Sequence, residues 1–216
     1  MSDNTPVAVF GGTFDPIHYG HLRVAWEVAE QLDCEVRLMP SARPPHRSVP
    51  GASADDRAAM IQMALVGQDR LTLDRRELDR RGPSYSVDTL VELRRELGPS
   101  RPLVFVLGAD AFRALPSWHR WQEITGLAHL LAMTRPRQRL DKLDDALHGA
   151  MVGRWTGMPE RLRTEPSGRV MVLRVTPLAI SSSLIRASLA QGRSPRFLLP
   201  PAVLEHLQVR HLYRSA

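Results

Sequence analysis

Cysteine and lysine are almost missing from this chain. Cys34 is its single cysteine, which excludes an intrachain disulfide and any cysteine metal cluster. Lys142 is its single lysine, so the net charge of +6 over 216 residues is carried by arginine. Those arginines are spread along the chain rather than gathered into a run. Such scatter suits small anionic ligands as well as it suits a nucleic-acid groove, and no nucleic-acid partner is expected. Long apolar runs are lacking too: none approaches the length of a membrane span, so no membrane partner is expected. Met1 to Pro6 is polar, without the basic start and apolar stretch of a secretory leader. A cytoplasmic protein is the expectation. Low-complexity tracts and internal repeats are absent. With 43% hydrophobic and 24% charged residues the composition gives no sign of disorder, and the length suits one domain over 1–216.

What is present alternates. Val7–Phe10 is a short apolar run of strand formers that stops at Gly11-Gly12, and from about Tyr19 to Leu32 apolar residues recur at helical spacing. Glu35–Met39 reads as a second strand, followed by a loop carrying Pro40, Pro44, Pro45 and Pro50. Ser53 caps a helix with Asp55 and Asp56 in its first turn, where the dipole favours acids, and with Met60, Met63 and Ala64 as its buried stripe. Leu71–Leu73 is a third strand. Ser84 or Ser86 opens a helix with Leu90, Leu93 and Leu97 inward, closed by Gly98-Pro99. Leu103–Leu107 is a continuous apolar run, as a central parallel strand covered on both faces requires. Leu127–Met133 and Arg169–Val175 are further strands, and 141–167 holds one short helix and a polar stretch with Gly and Pro. Helices follow over about Ser182–Ala190 and Pro201–Gln208, so 180–216 forms a small helical subregion. Strands alternating with helices imply right-handed βαβ units and a doubly wound, mostly parallel α/β sheet of Rossmann-like type. Such a fold does not by itself fix a function.

The string Gly11-Gly12-Thr13-Phe14-Asp15-Pro16-Ile17-His18-Tyr19-Gly20-His21 carries the chemistry. Paired glycines at a strand end let backbone amides approach an anion closely. His18 and His21 then fall at the entry to a helix, where imidazoles beside the N-terminus donate to phosphate oxygens with the dipole behind them. The pattern is neither a dinucleotide fingerprint nor a P-loop, and it lacks the glutamate of a zinc-protease helix. A second phosphate candidate is Ile180-Ser181-Ser182-Ser183-Leu184-Ile185-Arg186, three serines at a helix start with an arginine about one turn on. Gly82–Ser86 reads as a turn into a helix, whose amides at Tyr85 and Ser86 suit a carboxylate. Asp110, near Gly108 at a strand end, stands where α/β sheets bind ligands, or caps a helix. One of Trp118 and Trp121 is expected in the core.

These segments, in this order, resemble bacterial nicotinate-nucleotide adenylyltransferases of the nucleotidyltransferase superfamily. The first string specifies only the superfamily. The family is specified by Pro44-Pro45-His46-Arg47, Glu77, Gly82–Ser86 with Thr89-Leu90, Gly108-Ala109-Asp110, Trp118, Arg135-Pro136 and Ile180–Arg186. The resemblance implies transfer of the adenylyl group of ATP to nicotinate mononucleotide, giving nicotinate adenine dinucleotide and pyrophosphate. It assigns ATP and its phosphates to Gly11, Gly12, Thr13, Phe14, His18, His21, Gly108, Asp110, Ile180, Ser181, Ser182, Ser183 and Arg186. It assigns the mononucleotide to Ser41, His46, Arg47, Ser84, Tyr85, Ser86, Trp118 and Arg135, with Trp118 stacked on the pyridine ring. His18, His21 and Arg186 are the catalytic set. Mg²⁺ is implied as a cofactor bound mainly by ATP phosphates and water, without protein ligands.

Two positions depart from the family pattern. Ser41-Ala42 stands where asparagine is common, so a contact to the mononucleotide is replaced or passes through water. Ser183 replaces a common threonine and keeps the hydroxyl. Two other functions share the first string or the fold: phosphopantetheine adenylyl transfer, against which Gly82–Ser86 and Trp118 speak, and non-catalytic nucleotide or RNA binding. The chain is expected to be a monomer or a homodimer.

Overall fold

The computed structural model describes residues 5–42, 50–134, 140 and 143–214. Among them six strands form one parallel sheet: β1 (Val7–Gly12), β2 (Glu35–Pro40), β3 (Leu71–Leu73), β4 (Leu103–Gly108), β5 (His129–Thr134) and β6 (Val170–Arg174), in the order β3-β2-β1-β4-β5-β6. The helices are α1 (Tyr19–Leu32), α2 (Ala54–Ala64), α3 (Arg76–Asp79), α4 (Ser86–Leu97), α5 (Ala109–Arg113), α6 (Ile124–Leu127), α7 (Asp145–Met151), α8 (Pro159–Thr164), α9 (Ser182–Ala190) and α10 (Pro201–Val209). Among the described residues no helix is long and apolar enough to cross a membrane.

The strand period of two divides each strand between two cores. Ala8, Phe10, Val36, Leu38, Val104 and Val106 face one side, covered by Val28 and Leu32 of α1, Ile61 of α2, Ile185 of α9 and Val203 of α10. Val7, Val9, Leu103, Phe105, Leu130 and Ala132 face the other, covered by Leu90 and Leu93 of α4, Phe112 of α5, Ile124 of α6 and Leu147 of α7. Each fully buried aliphatic side chain of these sets contributes roughly 1.5–3 kcal/mol. The helices of the 180–216 stretch therefore share a core with α1 and α2.

The strand order reverses between β1 and β4, because β2 lies on the far side of β1 and β5 on the far side of β4. Connections leave these two strands in opposite directions and open a crevice at their C-terminal ends, the place where open α/β sheets take ligands. Gly11 and Gly12 close β1 there, and Gly108 closes β4.

Three expectations need correction. Leu127 belongs to the α6 turn, with the Ala128 amide still bonded to the Ile124 carbonyl, so β5 begins only at His129. The 141–167 stretch contains two short helices, α7 and α8, rather than one. Helix α2 buries Arg57, Ala58, Met60 and Ile61, while Met63 faces outward at 36% exposure. Met60 keeps its place in the stripe, fully buried, and Ala64 packs against the same core, so only Met63 departs from it while the buried Arg57 shares the inner face.

Candidate active site

Helix α1 starts directly beneath the crevice. His18 is its N-cap residue in extended conformation, and the His21 and Leu22 amides return to the His18 carbonyl at 2.9 and 3.1 Å. The spacing of three places both imidazoles on one helix face. They stack with ring centroids 3.7 Å apart, and Phe14 closes on His21 edge-to-face at 5.0 Å. Phe14 is buried with a positive φ of 49°, the bend that turns the chain from the strand end down to the histidines. At Gly20 a Cβ would fall 3.0 Å from the His18 ring, so glycine lets the histidine lie back against the helix without a crowded contact.

The second phosphate motif arrives from the far end of the chain. Ser181 caps α9 by accepting from the Leu184 amide at 3.1 Å. Ser182 Oγ donates to the Pro16 carbonyl at 3.0 Å, and Arg186 Nη1 donates to the Asp15 carbonyl at 2.7 Å. The Ile180 carbonyl lies against Gly20. Ser183 is exposed, within 3.5 Å of Arg186 Nη2. The structure thus joins Gly11–Phe14, His18 and His21 with Ile180–Ser183 and Arg186 in one assembly.

The segments that the resemblance assigns to the mononucleotide, around Tyr85 and Trp118, pack against the core on the opposite face of the sheet. Tyr85 is the N-cap residue of α4, which begins at Ser86, so Ser86 and not Ser84 opens that helix. Ser84 is buried, with Oγ donating to the Glu77 carbonyl at 3.4 Å. Glu77 is fixed from below by the Thr89 hydroxyl at 2.8 Å, and Arg80 reaches the same hydroxyl at 2.9 Å. Burial pushes the Glu77 carboxyl up from its ordinary range, opposed by the Thr89 hydrogen bond and by Arg80. Trp118 is half-buried with its ring against Phe105, whereas Trp121 is the core tryptophan. Tyr85 packs on His119 with ring centroids 4.4 Å apart, which brings the α4 entry beside Trp118.

Gly108 caps α5, and Asp110 projects into solvent from its first turn, paired with Arg113 at 3.0 Å. Ser41 follows β2 and stays on the site side, its amide bonded to the Gly12 carbonyl at 2.9 Å. His46, Arg47 and Arg135 lie outside the described residues.

Two supporting residues were not foreseen from the sequence. Arg57, 1% exposed, donates through Nη1 to the carbonyls of Thr13 at 2.8 Å and Ser41 at 2.7 Å, tying the ends of β1 and β2 together. Burial pushes its guanidinium below the ordinary value, and the nearby Asp15 charge opposes that. Tyr213 donates to Asp15 Oδ1 at 2.6 Å from beyond α10. An arginine within a helix and a tyrosine in a terminal turn are ordinarily surface residues, and only the tertiary contacts reveal them.

The fold and the meeting of these two segments are those of a nucleotidyltransferase: the model of the cytidylyltransferase-like family matches residues 9–188. A protein of Pseudomonas aeruginosa strain PAO1, named a probable nicotinate-nucleotide adenylyltransferase, is 46% identical over 211 residues, covering 97% of each chain. One of the same name from Methylococcus capsulatus is 46% identical over 209 residues, covering 96% of this chain and 99% of the relative. The chain belongs to the nicotinate-nucleotide adenylyltransferase family. Among solved structures, Plasmodium falciparum nicotinic acid mononucleotide adenylyltransferase complexed with NaAD has the same fold, with a TM-score of 0.69 at 18% identity over 97% of both chains.

Proposed function

We propose that the chain transfers the adenylyl group of ATP to nicotinate mononucleotide, forming nicotinate adenine dinucleotide and pyrophosphate for NAD biosynthesis in the cytoplasm. The observation that carries this reading is the meeting of the two phosphate motifs, Arg186 on the Asp15 carbonyl and Ser182 on the Pro16 carbonyl. A phosphate oxygen of the mononucleotide attacks the α-phosphorus of ATP in line, a new P–O bond forms, and the bond to the β-phosphate oxygen breaks. The nucleophile is already anionic, so no general base is required. The protein supplies alignment and charge stabilisation, the main terms in phosphoryl-type transfer.

His21, steadied by the stacked ring of His18, donates to the transferring phosphate. The amides of the Gly11–Thr13 turn orient the same group, and Arg186 with Ser181–Ser183 receives the departing pyrophosphate. The first amides of α4 take the nicotinate carboxylate, and Trp118 offers its face to the cationic pyridinium. Among the described residues no three His, Cys, Asp or Glu side chains converge as a ligand set. Mg²⁺ is read as arriving with ATP, as part of the substrate, because a hard cation of this kind is carried by phosphate oxygens and water.

Pyrophosphate release measured with ATP and Mg²⁺ tests the reading against three acceptors. Turnover with nicotinate mononucleotide, well above that with nicotinamide mononucleotide, is the expected result. Activity confined to phosphopantetheine would overturn the substrate and leave the fold standing.

A further inference from the structure

Four donors from three distant parts of the chain converge on the carboxylate of Asp15, which is 5% exposed. The Tyr213 hydroxyl donates to Oδ1 at 2.6 Å and the Ala52 amide to the same oxygen at 3.0 Å. The Gly51 amide donates to Oδ2 at 2.8 Å, and Arg186 Nη1 stands 3.5 Å from Oδ2. The same Arg186 nitrogen makes its short contact, 2.7 Å, to the backbone carbonyl of Asp15. In the reading above Arg186 has to receive a pyrophosphate anion, yet a buried carboxylate of its own chain lies beside it. Left to itself, that carboxylate would compete for the guanidinium, because opposite charges at this separation attract strongly in a partly desolvated site. Here both carboxylate oxygens are already engaged by neutral donors, and Arg186 is oriented by the uncharged carbonyl.

The geometry of the terminal turn points the same way. His211 and Tyr213 both have positive φ, 51° and 62°, which side-chain-bearing residues rarely adopt. The turn is held by the Leu212 amide on the Leu207 carbonyl at 3.0 Å. Helix α10 is in turn fastened to α2, since His206 and Arg210 both contact Asp56 Oδ1, at 3.1 and 3.2 Å. Burial, reinforced by the bond to Asp15, drives the Tyr213 hydroxyl far above the ordinary tyrosine range, so it stays protonated and donating at working pH.

We propose that Tyr213 is a positioning residue for adenylyl transfer: its hydroxyl holds the Asp15 carboxylate toward Gly51 and Ala52, leaving Arg186 aligned on the Asp15 carbonyl and available to the leaving pyrophosphate. The inference rests on the assignment of Arg186 to the pyrophosphate side.

Steady-state pyrophosphate release by the full chain tests it with wild type, Tyr213→Phe, Arg186→Ala and the double variant. Arg186→Ala is expected to lower kcat by roughly two to three decades. Tyr213→Phe lowers kcat about tenfold, the scale of one hydrogen bond to a charged group, with the KM for the mononucleotide unchanged. In the reverse direction the KM for pyrophosphate rises. The double variant is no slower than Arg186→Ala alone, because Tyr213 acts through that arginine. Gly51→Ala supplies an independent perturbation that keeps the hydroxyl. Its Cβ falls 3.0 Å from the Tyr213 ring, which must give by a few tenths of an ångström, while its 3.7 Å approach to Asp15 Oδ2 is ordinary contact, so it loosens the hydroxyl's hold on Asp15. It should reproduce part of the kcat loss, and that part should also vanish on the Arg186→Ala background. An unchanged kcat in Tyr213→Phe, or losses that multiply in the double variant, makes Tyr213 a structural residue and sinks the inference alone. A wild-type rate in Arg186→Ala sinks the site assignment and this inference with it.

Discussion

The imidazole rings of His18 and His21 lie stacked, 20° from parallel. Each ring limits the other's rotation, and Phe10 and Phe14 close the remaining side of His21 at 6.3 and 5.0 Å. A donor held this way needs little reorganisation when charge develops on the phosphate, the condition under which such donors contribute most. His21→Ala is therefore expected to lose about two to three decades in kcat. Far-ultraviolet circular dichroism and the melting temperature should stay close to wild type. Near-normal turnover by a folded His21→Ala protein would remove His21 from the reaction.

Gly20→Ala separates packing from catalysis. Within the first turn of α1, alanine gains about 1 kcal/mol over glycine in helix propensity. Against this, its Cβ would stand 3.0 Å from the His18 ring, which must then give by a few tenths of an ångström and press on its stack with His21. Overpacking of this kind typically costs about 1–3 kcal/mol. The two effects largely offset, so chemical denaturation should place the variant within about 1–2 kcal/mol of wild type. Its kcat should nevertheless fall about tenfold, because under the proposed function the shifted ring steadies the histidine that faces the transferring phosphate. A variant as active as wild type would show that the histidine stack is dispensable.

The acceptor half predicts a different kinetic signature. Trp118 lies half-buried against Phe105, and the start of α4 lies beside it. Under the proposed function Trp118→Ala removes the face offered to the pyridine ring in ground state and transition state alike, so it should raise the KM for the mononucleotide more than it lowers kcat. The KM for ATP should change little. If ATP binding weakens as much as mononucleotide binding, the division of the crevice between the two substrates is wrong.

The doubly wound sheet was legible from short apolar runs alternating with helical spacing, and so were the two segments that meet at the crevice, because a glycine turn and a serine cap are local features. Non-local features were not. Arg57 is separated from Thr13 by 44 residues and Tyr213 from Asp15 by 198, and nothing near either residue in sequence marks its partner. On α2 only Met63 departs from the expected stripe. Met60 and Ala64 pack into the core, and the rotation of the helix that also buries Arg57 on the Thr13 and Ser41 carbonyls leaves Met63 outside. At Leu127 the apolar run continues into β5, so hydrophobicity could not locate the helical turn that precedes the strand.

Stability should depend on pH through His129, at the other end of the sheet. The residue is fully buried, with Nε2 2.7 Å from the Glu165 carbonyl and Nδ1 accepting the Arg169 amide at 2.9 Å. One ring nitrogen must donate and the other must accept, which only the neutral tautomer protonated at Nε2 can do. Burial is the largest cause that pushes its pKa below the ordinary 6.5, with the Glu165 carbonyl and charge opposing and Arg169 and Arg94 adding to the depression. As pH falls through about 6.5 the unfolded chain takes up a proton that the folded chain resists, so the unfolded state gains. The stabilising contribution of neutral His129 is thus fully present above that value and is lost progressively as pH falls toward the folded pKa. One proton difference gives a slope of at most about 1.4 kcal/mol per pH unit. The wild-type protein should lose stability between about pH 7 and pH 5, measured by denaturant unfolding. His129→Gln keeps a donor toward Glu165 but cannot titrate, and its stability should fall less steeply over the same interval. Parallel wild-type and variant curves would assign the acid sensitivity to other groups.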